Sequence, residues 1–291
     1  MKFLVSLPHK DNEFQIQQTE AARVAARLLG VEVEIVYAEN NPVLQIQQIL
    51  RAVRADSPPS GLVVEPIATQ ALETVLRKAA AADIGAAVLN GTVGYVEALR
   101  AEFPHVGLFR VASDQVEIGR LQGLQVRALL PRGGTLLYLH GPHASTAAQE
   151  RFRGLEEVLA SGPVMRLIVL DGHWSGESAE RAVAHWLRLR SSAATRLDLV
   201  AAQDDAMAAG ARRALRAAVP CLGLGGVPDV GQRMVNEGAL AATVIVPSNT
   251  GVAIEHLARW LRRGVVPASI VLPVRSYPAE PDALGRVRRT A

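Results

Sequence analysis

The chain has 291 residues and is 49% apolar, enough for one large domain or two ordinary ones with sizeable cores. The formal net charge is only +3, and 28 of the 31 basic residues are arginines spread along the chain, which excludes the clustered basic face of a nucleic-acid-binding protein. The single cysteine, Cys221, excludes an internal disulfide and a cysteine zinc cluster, and we predict that it is buried.

The amino-terminal stretch MKFLVSLPHK has an apolar run of five residues, too short for the hydrophobic region of a signal peptide. No later run approaches the roughly 18 apolar residues that a membrane span needs. As written, the sequence predicts a cytoplasmic chain without membrane insertion. A signal segment trimmed from its start would instead place the chain in the periplasm.

Short apolar runs alternate with longer amphipathic segments along the chain, the pattern of alternating strands and helices. In the first half a helix is predicted from Phe14 to Leu29, with its end at Gly30. The first-half strands are predicted at Phe3–Leu7, Glu32–Tyr37, Gly61–Glu65, Ala86–Asn90 and Leu108–Ala112. The second-half strands are predicted at Thr135–His140, Met165–Leu170, Leu197–Ala202 and Cys221–Leu224.

The two halves of the chain form an internal repeat with the same order of strands and helices. The segment GLVVEPIATQALETVLRKAAAADIGAAVLNG can be laid over LDLVAAQDDAMAAGARRALRAAVPCLGLGG, since each is a strand, a polar turn, an alanine-rich helix and a second strand. Alternating strands and helices predict parallel sheets covered on both faces, with ligand sites at the carboxyl ends of the strands. The sequence therefore predicts an α/β fold of two similar, doubly wound parallel-sheet lobes with a ligand cleft between them.

Several enzymatic or cofactor-binding motifs are incomplete. In GLGGVPDVG the third glycine position of a dinucleotide fingerprint is Pro228, and there is no G-x-S-x-G elbow. His140, His143 and His173 lack a zinc-type signature, and we interpret them as loop histidines that face solvent or a polar pocket. We therefore expect no catalytic residues, no metal and no cofactor.

Asp204 and Asp205 are adjacent at a predicted strand-to-helix turn. Neighbouring side chains there point in different directions, so a catalytic pair is not favoured. We predict that Asp205 caps the following helix and that Asp204 projects into the cleft, where its carboxylate accepts hydrogen bonds from hydroxyl groups.

Phe14 and Trp174 both fall near predicted carboxyl ends of strands. Two aromatic rings that flank a cleft can sandwich the C–H faces of a sugar. The alternative is that each ring packs in the core of its own lobe.

Four motifs, VASDQVEIGRLQGLQV, GPHASTAAQERFRGLEEVL, LVAAQDDAMAAGARRAL and GVPDVGQRMVNEGALAATV, resemble in order and spacing the ribose-binding-protein branch of the type I periplasmic binding proteins. The ligand domains of LacI-type repressors share this fold. The resemblance runs from about Lys2 to Tyr277 and implies lobes that close over a ligand by hinge motion, without chemistry on it.

The resemblance implies lobe boundaries and hinge positions. The amino-terminal lobe is expected at residues 1–113 plus 247–272, and the carboxy-terminal lobe at 114–246 plus 273–291. The three hinge crossings are expected at Ser113/Asp114, Val246/Pro247 and Leu272/Pro273.

Carried over by position, the resemblance implies a pocket of eight residues: Asn12, Phe14, Glu65, Asn90, Ser113, Arg151, Trp174 and Asp204. Arg151 would give forked hydrogen bonds to hydroxyls. Two alternatives remain open, since Ser113 can be only a hinge residue and Arg151 can pair with Glu150 or Glu157.

Departures from the family pattern argue against plain D-ribose. Gln15 replaces a second aromatic and Glu65 an asparagine, while Val246 replaces a glutamine. Asn90–Gly91 stands for an Asp-Arg pair, and Leu224–Gly225 for a Phe-Asp pair. We expect a larger or less hydroxylated ligand, or a cationic one attracted by Glu65 and Asp204.

The sequence therefore predicts a non-enzymatic solute-binding protein for a sugar, polyol or related molecule, acting with an ABC permease or a sensor and without nucleic acid. The alternative is a cytosolic LacI-like effector domain that lacks its DNA-binding module.

Overall fold

The structure, a computed structural model, describes residues 1–90, 94–143, 145–189, 196–215 and 218–279. The chain divides into two compact units, the first made of Met1–Ser113 and Ser248–Leu272, the second of Asp114–Pro247 and the chain from Pro273 onward. The backbone therefore passes between the units three times. Gly91 and residues 280–291, which figure in the sequence-based predictions, lie outside the described residues.

Helices and strands alternate through both units. Up to Ser113 the elements are β1 (Lys2–Leu7), α1 (Glu13–Leu29), β2 (Glu32–Tyr37), α2 (Pro42–Val53), β3 (Gly61–Val64), α3 (Glu73–Ala80), β4 (Gly85–Leu89), α4 (Tyr95–Glu102) and β5 (Leu108–Ser113). From there they are α5 (Gln115–Leu129), β6 (Gly134–His140), α6 (Thr146–Ala160), β7 (Met165–Asp171), α7 (Gly176–Leu189), β8 (Leu199–Ala202), α8 (Asp205–Leu215), β9 (Cys221–Leu222), α9 (Arg233–Asn236), β10 (Thr243–Ile245), α10 (Thr250–Arg263), β11 (Ser269–Leu272) and β12 (Arg275–Tyr277). A 3₁₀ turn at Thr69–Leu72 and a π-helical turn at Pro228–Gln232 complete the set.

The first unit is built on a six-stranded sheet in the order β11-β5-β4-β3-β1-β2, with every pair parallel. Helices α2, α3 and α4 cover one face, where Ile49, Leu76 and Leu99 are buried. Helices α1 and α10 cover the other face, with Ala22 and Leu257 in contact with the sheet. Burial on both faces explains why the central strands are continuously apolar rather than alternating.

The second unit is built on a four-stranded parallel sheet in the order β7-β6-β8-β9. Helices α5 and α6 cover one face through Val126 and Leu155, and α7 and α8 cover the other through Val183 and Met207. β10 pairs antiparallel with β12.

Each sheet has a point where the order of its strands reverses. The chain moves from β1 outward to β2 and then returns to β3 on the other side of β1, and β6, β7 and β8 repeat this path. At such a point the loops that follow two neighbouring strands run to opposite faces of the sheet and leave a crevice between them. Open α/β sheets bind ligands in this crevice, at the carboxyl ends of the strands. The candidate site residues are best sought after β1, β3, β6 and β8.

The nine predicted strands are all present, with ends that differ by no more than two residues. The strands β10, β11 and β12 were not predicted, because they are short and lie outside the repeated strand-helix pattern. Among the described helices, none is both long and apolar enough to cross a membrane.

Candidate functional site

Two of the predicted site residues, Asn12 and Phe14, lie at the start of α1, just after the loop that follows β1. Asn12 is the N-cap of α1, since its Oδ1 accepts a hydrogen bond from the backbone N–H of Gln15 at 2.9 Å. Phe14 is half-buried and is not a member of either apolar core described for the first unit. Ligand contact by the Phe14 ring stays a prediction, and the alternative of core packing loses support.

Glu65 follows β3 directly and holds two amide side chains. Its Oε2 accepts from Gln15 Nε2 at 2.9 Å, and its Oε1 accepts from Asn90 Nδ2 at 3.0 Å. Asn90 follows β4 with a φ of 53°, a left-handed conformation that asparagine adopts more readily than most residues. We call Gln15, Gln18, Glu65, Asn90 and Asn249 the Glu65 cluster.

A hydrogen bond joins Asn90 of the Glu65 cluster to Asn249, which directly precedes α10. Asn90 Oδ1 accepts from Asn249 Nδ2, and Asn249 Oδ1 accepts from Gln18 Nε2. Gln18 Oε1 in turn accepts from the backbone N–H groups of Asn249 and Thr250, both fully buried. The orientation of the Asn90 amide and the Glu65 carboxylate is therefore fixed by the fold of the first unit.

Ser113 is the last residue of β5 and is buried. Its parallel partner in the sheet is Leu272, the last residue of β11, so two of the three passages between units leave the first unit side by side. This position fits a hinge residue and a ligand contact equally, and both interpretations of Ser113 stay open.

Arg151 on α6 is held by two acceptors of the second unit. Its Nε donates to Gln115 Oε1 at 2.8 Å, and its Nη1 donates to the backbone carbonyl of Gln203 at 3.1 Å. Glu157, an alternative partner in the sequence analysis, lies 2.8 Å from Arg120. Fixing a guanidinium through Nε and one Nη group orients its planar fork.

The indole of Trp174 lies beneath this guanidinium, with Arg151 Cζ 5.6 Å from the ring centroid, a cation–π arrangement. A Cβ at Gly141 would lie 2.4 Å from ring atoms of Trp174, so only glycine permits this contact. Trp174 is half-buried against the apolar core and has a φ of 55°, rare for a bulky side chain. We call Gln115, Arg151, Trp174 and Gln203 the Arg151 cluster.

The roles predicted for the two aspartates are wrong in one respect, because Asp204 and not Asp205 caps α8. Asp204 Oδ1 accepts from the backbone N–H groups of Ala206 and Met207 at 2.7 and 3.2 Å. Asp205 is buried and turned toward the neighbouring strands, where its Oδ2 accepts from Gly226 N at 2.7 Å and its Oδ1 from Thr243 Oγ1 at 2.6 Å. Asp204 remains half-exposed, and its predicted ligand contact stays a prediction.

The turn after β9 replaces the expected Phe-Asp pair with residues that add no polar side chain. Leu224 is buried, and Gly225 has a φ of 121°. Val246, in place of a glutamine, is also buried. The Cys221 thiol lies within β9, where burial raises its pKa to about 12, which argues against a nucleophile.

Gln203 is a residue that the sequence analysis missed. It is buried at the end of β8, where its Nε2 donates to Tyr138 Oη and to the Ala148 carbonyl, both at 2.8 Å. Its Oε1 accepts from Gly141 N at 2.9 Å. Gln203 thus ties the start of α6, the Gly141 turn and β8 together. Its position in the sequence, directly before two aspartates at the end of a predicted strand, could have identified Gln203 as a candidate site residue.

His140 ends β6 as predicted, but the prediction that it faces solvent or a polar pocket is wrong, since it is buried against the rings of Tyr138 and Phe152. His143 is exposed as expected, and its ring stacks on His140 at a centroid distance of 4.9 Å. Asp171, at the end of β7, lies 2.8 Å from His143 Nε2.

Comparison with known proteins gives consistent matches. A family model described as a periplasmic binding protein domain matches residues 3–253. The ribose import binding protein of Escherichia coli K12 is 26% identical over 242 residues, covering 80% of this chain and 75% of that protein.

Solved structures give the same fold. The binding protein of an arabinose ABC transporter from Shewanella sp. ANA-3, bound to L-arabinofuranose, aligns with a TM-score of 0.83 at 19% identity, over 99% of this chain and 95% of that one. A Caulobacter myo-inositol binding protein bound to myo-inositol aligns with a TM-score of 0.79 at 20% identity, over 99% and 96%.

Proposed function

Because the chain belongs to the periplasmic binding protein family, we propose that it is a non-enzymatic binding protein for a sugar or a polyol. The observation that carries this proposal is a pair of polar clusters, the Glu65 cluster and the Arg151 cluster. Each contains residues that directly follow strands of its own unit, Glu65 and Asn90 in the first and Gln203 in the second, and Glu65 and Arg151 are each held by two hydrogen bonds.

The chemistry of the clusters suits hydroxyl groups. A carboxylate accepts hydrogen bonds, a guanidinium donates them and amides do both, so adjacent hydroxyls can be bound as donor and acceptor together. Phe14 and Trp174 supply apolar faces for C–H groups. In this proposal the pocket is the predicted set of Asn12, Phe14, Glu65, Asn90, Ser113, Arg151, Trp174 and Asp204.

We further propose that both clusters contact the same ligand, with the three backbone passages near Ser113, Pro247 and Leu272 acting as hinges. Binding would then shift the chain toward a closed state. A permease of the ABC type is the partner that fits uptake, and a sensor is the partner that fits signalling. Relatives in the comparisons are binding proteins by name, which does not favour a LacI-like effector domain.

A thermal-shift screen tests the class of ligand. We expect a sugar or polyol other than plain D-ribose, such as L-arabinose, myo-inositol or a close relative of either, to raise the melting temperature in a saturable manner, since a ligand that binds only the folded state stabilises it. Amine-bearing polyols form a second arm, because Glu65 is acidic. A clear shift with a simple amine and none with any sugar or polyol would contradict the proposal, as would chemical turnover of the bound molecule.

A further inference from the structure

We propose that His140, His143 and Asp171 bind a divalent transition-metal ion such as Zn²⁺; we call these three residues the His140 site. One nitrogen from each histidine and one carboxylate oxygen of Asp171 all lie within 4.8 Å of one another. Two imidazoles and a carboxylate are ligands that Zn²⁺ commonly takes. This proposal departs from the sequence-based expectation of no metal. The site shares no residue with the predicted sugar pocket, and the proposal does not depend on the sugar-binding one.

The sheet itself places two of the three ligands together. His140 ends β6, Asp171 ends β7, and the two residues are partners in the parallel register of these strands. Neighbouring strands lie about 4.7–4.9 Å apart, so donors on paired residues start close to the separation that a metal site needs. The pairing is fixed by seven consecutive register positions and does not rest on a loop conformation.

His140 is buried, and one of its ring nitrogens has a backbone partner, as is common for metal-binding histidines. The residue is 3% exposed, and its ring lies against Tyr138 and Phe152, with centroid distances of 6.3 and 5.4 Å. Its Nδ1 lies 2.6 Å from the Gly141 carbonyl oxygen, which can only accept, so Nδ1 carries the proton. In the neutral ring Nε2 then has the lone pair that a metal requires, and the Gly141 carbonyl is the outer partner that fixes the tautomer.

His143 and Asp171 supply the movable part of the site. His143 Nε2 and Asp171 Oδ1 are 2.8 Å apart, and their side chains are 70% and 55% exposed. An ion would replace the direct contact between these two groups. Donor atoms around a tetrahedral Zn²⁺ are about 3.3 Å apart, given bond lengths of about 2.0–2.1 Å. A shift of the exposed His143 ring would shorten the distances between donor atoms from at most 4.8 Å to the separation that Zn²⁺ needs.

The donor set selects the metal. Two nitrogens and one oxygen favour Zn²⁺, Co²⁺, Ni²⁺ or Cu²⁺ over Mg²⁺ and Ca²⁺, which prefer oxygen ligands. Three protein ligands leave a fourth position for water. A bound ion would link the loop that contains His143, just before α6, to Asp171 at the end of β7.

The test is calorimetric titration of the tag-free, EDTA-treated chain of 291 residues with ZnCl₂, accompanied by the visible absorption spectrum of the Co²⁺ form. We expect one saturable site, and the variants His143→Ala and Asp171→Asn are expected to weaken Zn²⁺ binding at least tenfold. Both residues are exposed, so these variants should fold. In the Co²⁺ form we expect absorption bands of a four-coordinate ion that His143→Ala abolishes.

A second histidine–aspartate pair provides the matched control. His105 Nε2 lies 2.9 Å from Asp83 Oδ1, with both side chains exposed, but this pair is not part of a three-ligand group in the described chain. His105→Ala should therefore leave Zn²⁺ binding unchanged. The proposal is overturned if the wild-type chain shows no saturable Zn²⁺ binding, if His143→Ala binds like the wild type, or if His105→Ala loses as much affinity.

Discussion

Adjacent aspartates at the end of β8 differ in burial and in partners. Asp204 is half-exposed and caps α8, whereas Asp205 is 5% exposed and bonds to Gly226 and Thr243. A buried carboxylate is tolerated only where its oxygens accept hydrogen bonds, because desolvating an unsatisfied charge is costly. Asp205 therefore anchors the turn after β9 to the start of α8.

Removal of each carboxylate should therefore have a different cost. Asp205→Ala leaves the Gly226 N–H and the Thr243 hydroxyl without this acceptor, and we expect a loss of about 1.5–3 kcal/mol per hydrogen bond in the free energy of unfolding. Asp204→Ala should cost about 1 kcal/mol, the usual value of an N-cap. Urea denaturation followed by circular dichroism measures both. Equal losses, or a larger loss for Asp204→Ala, would contradict these roles.

The sequence located Asp204 and Asp205 at a strand end, but not their roles. Which aspartate caps a helix depends on where the first helical turn begins, within one residue. The partners Gly226 and Thr243 are 21 and 38 positions away from Asp205, and only the folded sheet brings them together. The same holds for Glu65 and Gln15, which are 50 positions apart.

At the scale of elements, α5 and α6 approach so closely that glycine is required at the contact. A Cβ at Gly119 would lie 1.9 Å from the Arg151 carbonyl oxygen, and one at Gly154 would lie 2.0 Å from that of Val116. Both obstacles are backbone atoms, which cannot move aside as a side chain does. This contact also sets the position of α6, and with it the Arg151 side chain.

Gly119→Ala should therefore destabilise the chain by about 1–3 kcal/mol or more, the range of overpacking in a core. Gly94→Ala is the matched control, because Gly94 has a φ of −64° and an added Cβ there meets nothing within 4 Å. We expect the melting temperature to fall for Gly119→Ala and to stay within the error of the wild type for Gly94→Ala. A stable Gly119→Ala variant would refute the close approach of these helices.

The elements themselves could be predicted from the sequence, since the apolar runs and helical spacing identify nine of the strands, and the predicted fold class is confirmed. Periodicity identifies buried runs well because both faces of each sheet are covered. Periodicity fails for β10 and β12, which have three residues each and together form a separate two-stranded sheet. Their pairing depends on long-range contact and not on local pattern.

At the scale of the whole molecule, the predicted family resemblance is confirmed, and it concerns both units together. The resemblance could identify positions for a pocket but could not give their partners. The Gln203 backbone carbonyl orients Arg151 and the Gln18–Asn249 pair orients Asn90, yet these three are uncharged residues scattered along the chain. The central claim is that residues of both units bind one ligand.

Isothermal titration calorimetry with the sugar or polyol that gives the largest thermal shift tests that claim most directly, using one variant from each unit, Glu65→Gln and Arg151→Ala. The controls are the same two substitutions at exposed positions outside the predicted pocket, Glu97→Gln and Arg153→Ala. We predict a single site whose affinity falls at least tenfold in each of the first two variants and stays unchanged in the controls. Wild-type affinity in either Glu65→Gln or Arg151→Ala, with the other variant impaired, would contradict a ligand held by both units.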